Sequence, residues 1–111
     1  MTRREFVAGL TLLIGSVSVG ATTQGRRKPA THKVIMEGMV FKPASLTINA
    51  GDSVLWVNSD IVEHTATAAD NSWDSKMVAP KKSWKHTFKA KKSHQYVCKY
   101  HPTMKGTLVV K

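Results

Sequence analysis

From His32 onward, apolar and polar positions alternate in short runs, and none keeps the three-to-four-residue spacing of an amphipathic helix. Val34-Ile35-Met36 reads as a strand. Phe41-Lys42-Pro43 interrupts it, because proline cannot donate to a ladder, and Ser45-Leu46-Thr47-Ile48 then alternates cleanly. Ala50-Gly51-Asp52 turns the chain into residues 53–58, the strongest strand pattern in the sequence. Further on, Trp84-Lys85-His86-Thr87-Phe88 places Trp84, His86 and Phe88 on one face, and residues 94–98 and 106–110 supply the last two strands. Residues 60–80, rich in Ala, Asp, Asn and Ser, are expected to be loops with room for one short helical turn. Short strands at this spacing without intervening helices predict an all-β protein, a sandwich or a barrel.

The first 21 residues follow a different rule. Arg3 and Arg4 precede an apolar stretch over residues 7–19, followed by the small residues Gly20 and Ala21. The stretch is too short to span a bilayer comfortably, and the charged start, apolar middle and small-residue end are the parts of a signal peptide. Arg3-Arg4-Glu5-Phe6 resembles the start of a twin-arginine signal, which implies export to the periplasm. An uncleaved N-terminal anchor is the alternative, and membrane contact is expected only in that case. The expected organisation is a signal peptide over 1–21, a basic flexible leader over 22–31 containing Arg26-Arg27-Lys28, and one domain over 32–111.

Composition narrows the picture. Hydrophobic residues make up 41% of the chain, enough for a folded core and against disorder. With 17 Lys+Arg against 7 Asp+Glu, the net charge is +10, which attracts acidic partners and keeps the protein apart from its own copies; a monomer is expected. No helix–turn–helix or RNA-binding signature accompanies the lysines, so nucleic acid is not an expected partner. One cysteine excludes an internal disulfide and leaves Cys98 as buried filler, reactive thiol, intermolecular bridge or metal ligand.

Its neighbours decide among these. Cys98, His101 and Met104 offer a thiolate, an imidazole and a thioether at i, i+3 and i+6 between two expected strands, where a tight loop turns all three toward one point. His64, just past the 53–58 strand, is placed to bring a second imidazole. Two His and one Cys with a distant Met form the blue-copper donor set, in which soft sulfur suits Cu(I) and imidazole suits both oxidation states. Zn²⁺ could fill the same donors.

Residues 34–111 thereby resemble the cupredoxins, in particular the short-loop plastocyanin and amicyanin branch. The resemblance rests on Phe41-x-Pro43, Gly51-Asp52-x-Val54, Trp56-x-Asn58, His64 and Cys98-x-x-His101-x-x-Met104. It implies an eight-stranded Greek-key β-sandwich, one type 1 copper cycling between Cu(I) and Cu(II), and electron transfer. It also implies that His64 lies inside while the edge of His101 reaches a surface patch. The family often carries Asn after the first His ligand and Thr or Ser after the Cys, whose hydrogen bond ties the ligand loops. This chain has Thr65 and Lys99 there.

The function expected is a one-electron carrier between a redox donor and a redox acceptor, with Lys99 and Lys105 favouring an acidic docking surface; no catalysis is expected. A copper carrier or store that delivers the ion to an acceptor protein is the alternative. A multicopper oxidase or nitrite reductase would need further cupredoxin domains and histidine clusters. His32 is expected to be solvated, His86 and His94 to pack, and Met36, Met39 and Met77 to lie outside any metal cluster.

Overall fold

The structure is a computed structural model and describes residues 28–111. The expected signal peptide and most of the expected leader lie outside the described residues.

Eight strands follow one another: β1 (Thr31–Glu37), β2 (Val40–Lys42), β3 (Ser45–Ile48), β4 (Ser53–Asn58), β5 (Thr67–Ala68), β6 (Ser83–Thr87), β7 (Lys92–Cys98) and β8 (His101–Val110). They form two four-stranded sheets, in the orders β2-β1-β4-β6 and β3-β8-β7-β5. β1 runs parallel to β4 and β3 parallel to β8, and the remaining pairs are antiparallel. From β2 to β7 each connection crosses from one sheet to the other. The result is the all-β sandwich expected.

The alternation read along the chain is the inside–outside alternation of these strands. Val34 and Met36 of β1, Val54 and Trp56 of β4, Tyr96 and Cys98 of β7, and Leu108 and Val110 of β8 are all buried between the sheets. Trp56 is the hub: its ring centroid lies 5.3 Å from Trp73, 5.5 Å from Trp84 and 5.5 Å from Tyr96. At about 25 cal/mol per Å² and roughly 200 Å² per ring, each such aromatic contributes on the order of 5 kcal/mol before entropy is counted. Gly106 sits opposite Tyr96 in the β7–β8 ladder, and a Cβ there would lie 2.4 Å from Tyr96 Cζ. Only glycine lets the tyrosine ring lie across β8 at that point.

Three details differ from the sequence reading. β1 begins at Thr31, and the buried Asp52 carboxylate already accepts the Ala30 N–H at 2.9 Å, inside the segment expected to be leader. His32, expected to be solvated, belongs to β1, with Nε2 2.9 Å from Asp52 Oδ2. Residues 60–80 hold the short strand β5 and no helical turn.

Candidate metal centre

The structure brings the expected ligands together in pairs, His64 with Cys98 and His64 with His101, and carries Met104 on the same strand as His101. Cys98 closes β7 where the ladder changes register: Val97 pairs with Lys105, but Cys98 pairs with His101. Pro102, Thr103 and Met104 are therefore extra residues on β8, a bulge that re-aims the chain. His101 and Met104 thus belong to a strand and not to the free loop expected.

His64 is held by the connections between strands. Its backbone exchanges hydrogen bonds with Val78, with Val78 N–H donating to the His64 carbonyl at 2.8 Å and the reverse at 3.2 Å. Asn58, at the end of β4 and fully buried, donates through Nδ2 to the carbonyls of Val62 (2.8 Å) and Val78 (2.9 Å), and so pins both flanks of the histidine.

The ring of His64 has one nitrogen committed. Asp60 Oδ2 lies 2.6 Å from Nε2. Burial works to raise the Asp60 carboxyl, but the Gly38 N–H, the His64 ring and the Met39 N–H outweigh it and hold the group below the usual carboxylate range. An ionised carboxylate only accepts, so a proton sits on Nε2, and in the neutral ring it is Nδ1 that keeps the lone pair. That lone pair faces Cys98 Sγ at 3.6 Å. The His101 ring stands edge-on to His64, with centroids 5.3 Å apart. His64 and Cys98 are fully buried, Met104 is 1% exposed, and His101 is half-buried. The convergence is pairwise: among the described residues no three His, Cys, Asp or Glu side chains form a group that could hold a metal ion. The fourth expected donor, a thioether, is outside those residue types.

A closed hydrogen-bonded ring lies beside the cysteine. Thr65 N–H points at Cys98 Sγ at 3.3 Å, and Lys99 N–H donates to Thr65 Oγ1 at 2.9 Å. Thr67 donates its hydroxyl proton to Asp74 Oδ1 at 2.9 Å, which leaves Thr65 as the donor in the 2.9 Å contact between the two threonines. Lys99 Nζ then closes the circuit on Asp74 Oδ2 at 2.7 Å. Burial works to raise the Asp74 carboxyl, but Lys99, the Lys76 N–H and Thr67 prevail and hold it low. The loops carrying His64 and Cys98 are thus tied through the two positions that depart from the family pattern. Of this ring, the sequence alone marks only Thr65 and Lys99; Thr67 and Asp74 carry no local signal. Asp60 is equally unmarked, its only hint being an acidic residue four positions before the histidine.

Outside the centre, Val62, Glu63, Met77, Tyr100 and His101 line a shallow depression of about 380 Å³. Large apolar side chains stand exposed in these same loops: Ile61 at 93%, Met77 at 54% and Tyr100 at 50%. His86 and His94 lie elsewhere, in the aromatic packing around Trp73, which donates its Nε1–H to His94 Nδ1 at 3.2 Å.

A model of the cupredoxin-like domain matches residues 9–110. The chain belongs to the cupredoxin-like family. It is 28% identical over 88 residues to amicyanin of Paracoccus versutus, covering 74% of this chain and 67% of that protein. It is 34% identical over 85 residues to plastocyanin of Scenedesmus fuscus, covering 65% of this chain and 87% of that one. Among solved structures, a copper-containing nitrite reductase of Thermus scotoductus superposes with a TM-score of 0.70 at 26% identity, covering 77% of this chain but 23% of the reductase. The cupredoxin cofactor is one copper ion that cycles between Cu(I) and Cu(II). The residues gathered here suit it. A buried thiol facing an imidazole lone pair, with a second imidazole alongside and a buried thioether on the next strand, is a soft and borderline donor set.

Proposed function

We propose that this cupredoxin is a periplasmic type 1 copper protein that carries single electrons between redox proteins, with copper held by His64, Cys98, His101 and Met104. The observation that carries the reading is the 3.6 Å approach of Cys98 Sγ to His64 Nδ1, with Asp60 fixing the tautomer that leaves Nδ1 free. A thiol proton, or a cation in its place, fits between sulfur and nitrogen.

Copper supplies a one-electron couple when bound. The chain's own residues do the rest. Asp60 keeps the His64 proton on Nε2, and Thr65 N–H stabilises negative charge on the sulfur. The ring through Thr65, Thr67, Asp74 and Lys99 fixes the loops, so little rearrangement accompanies a change of charge. Burial keeps water from Cys98 and His64, while the half-buried His101 lines the apolar depression where a partner can approach. We place the docking surface there, on Ile61, Val62, Met77 and Tyr100. Lys105, exposed on β8, suits an acidic rim on the partner, whereas Lys99 is engaged by Asp74. Export to the periplasm is supported by the arginine pair and apolar run over 1–21.

Titration of the protein with Cu(II) should raise an intense blue thiolate-to-copper band that saturates at one equivalent. Cys98→Ser should abolish it, with the fold retained by circular dichroism. A colourless complex in the unsubstituted protein would refute ligation of Cu(II) by Cys98.

A further inference from the structure

The positive charge of this protein is distributed away from its metal end. Asp60, Glu63 and Asp74 all lie around His64, His101 and Lys99, so the neighbourhood of the depression is close to balanced. The sheet β2-β1-β4-β6 is different. Across its outer face, Lys33, Leu55 and Lys85 form one row in register, and Lys42, Ile35, Val57 and Ser83 form the next; Glu37, at the far end of β1 on this face, pairs with Lys42 at 3.6 Å. Ile35, Leu55 and Val57 are half-buried, while Lys33 and Lys85 are exposed. Exposed lysines also bracket β6, with Lys81 and Lys82 before it and Lys89 and Lys91 after it. Among the described residues none of Lys33, Lys81, Lys82, Lys85, Lys89 and Lys91 pairs with a carboxylate. The outer face of the other sheet carries Ser45, Thr47, Ser93, Gln95, Thr107 and Val109 instead, mostly neutral, with Lys105 at the end of the face nearest His101.

We infer that the outer face of the β2-β1-β4-β6 sheet is a second interaction surface, separate from the metal end, that binds the anionic headgroups of a lipid bilayer. Three features favour a bilayer over an acidic protein. The face is a run of strand rows with a low apolar centre and long-stemmed charges around it, so it suits a broad, laterally fluid array of anions. From Lys28 to Lys111 the chain carries lysines and no arginine. Lysine meets an anion as a point charge on a flexible stem and so tolerates laterally mobile headgroups, whereas arginine supplies the planar fork that fixes carboxylate and phosphate alike in one geometry. Finally, Lys28, at the start of the described residues, precedes β1 of this same sheet and is exposed. Each lysine near such a surface strengthens binding several-fold, and salt weakens it. Held by this face, the protein keeps the His101 depression open to a partner.

The test is co-sedimentation of the copper-loaded protein, as isolated, with vesicles of phosphatidylcholine alone and of phosphatidylcholine with phosphatidylglycerol. The comparison between the two removes any apolar insertion by the N-terminal segment, which is common to both. Binding should require phosphatidylglycerol and fall at least about tenfold between low and high salt. Lys33→Glu with Lys85→Glu should weaken it by at least about tenfold while leaving the visible spectrum and thermal melt unchanged. Lys76→Glu with Lys111→Glu, an equal charge change elsewhere, should have little effect. Equal loss in both double variants would reduce the effect to net charge and overturn the inference, as would absence of any preference for phosphatidylglycerol. If the Lys33/Lys85 variant kept its vesicle binding but exchanged electrons more slowly with an acidic redox protein, the face would be a protein-docking surface and the lipid assignment would fail. None of these outcomes depends on which residues hold the copper.

Discussion

Thr65 shows how a single side chain can replace a familiar contact by a different route. Its hydroxyl accepts the Lys99 N–H and donates to Thr67, while its own N–H points at Cys98 Sγ. Thr65→Val preserves shape and removes the two hydroxyl contacts, leaving the Lys99 amide and the Thr67 oxygen unsatisfied. A loss of about 1–3 kcal/mol of stability is expected, against a much smaller loss for Thr65→Ser. Thermal melts of both variants check it, and voltammetry of the copper forms should show the reduction potential moving in Val but not in Ser. His64, Cys98, His101 and Met104 stand out in the sequence because few residue types carry that chemistry. Thr67 and Asp74 do not, because common polar residues acquire their meaning only from the neighbours that folding brings to them.

At the scale of elements, the side of the sandwich between β6 and β7 is filled by aromatic and histidine side chains. His94 packs 5.7 Å from Trp73 and 5.3 Å from Phe88, and His86 stacks 5.1 Å from Trp84. Burial holds both histidines below their ordinary range; Lys92 and His86 add to this at His94, while Asp70 opposes it. The unfolded chain takes up these protons near the ordinary histidine value of about 6.5, so there it binds more protons than the folded chain. Their contribution is complete above that pH and is lost as acidification proceeds from there down through the folded values. The melting temperature should fall between about pH 7.5 and about pH 5.5, and fall less in His94→Gln, which keeps an acceptor for Trp73 without the titration. A steeper fall in the variant would contradict this. The strands themselves are legible from alternation, but the start of β8 at His101 is not. Turn residues such as Pro102 mask a strand whose ladder resumes only after a bulge.

For the described residues as a whole, the arrangement separates three surfaces: an apolar end at His101, a lysine-rich sheet and a sheet that is neutral apart from Lys105 at one end. If electrons pass at the apolar end, Met77→Glu should slow exchange with a redox partner by roughly tenfold, equivalent to about 1.4 kcal/mol. Thr47→Glu, on the neutral sheet, should not. Stopped-flow rates with both variants, checked for an unchanged blue band, decide the matter; equal rates for all three proteins would move the docking site elsewhere. Lys99 shows why charge counting along the chain misplaces such surfaces. Its place beside the cysteine predicts a lysine free to attract a partner, but Asp74 holds it at 2.7 Å.

Taken alone, the sequence determined the class of fold, the residue types of the candidate metal site and the basic character of the protein. Alternation with a period of two favours strands, and thiolate, imidazole and thioether side chains are scarce enough to announce themselves. The tertiary structure decided which nitrogen of His64 holds its proton, which backbone amide faces the sulfur and which lysines remain unpaired. Those are properties of pairs, and pairs exist only once the two sheets have closed on each other.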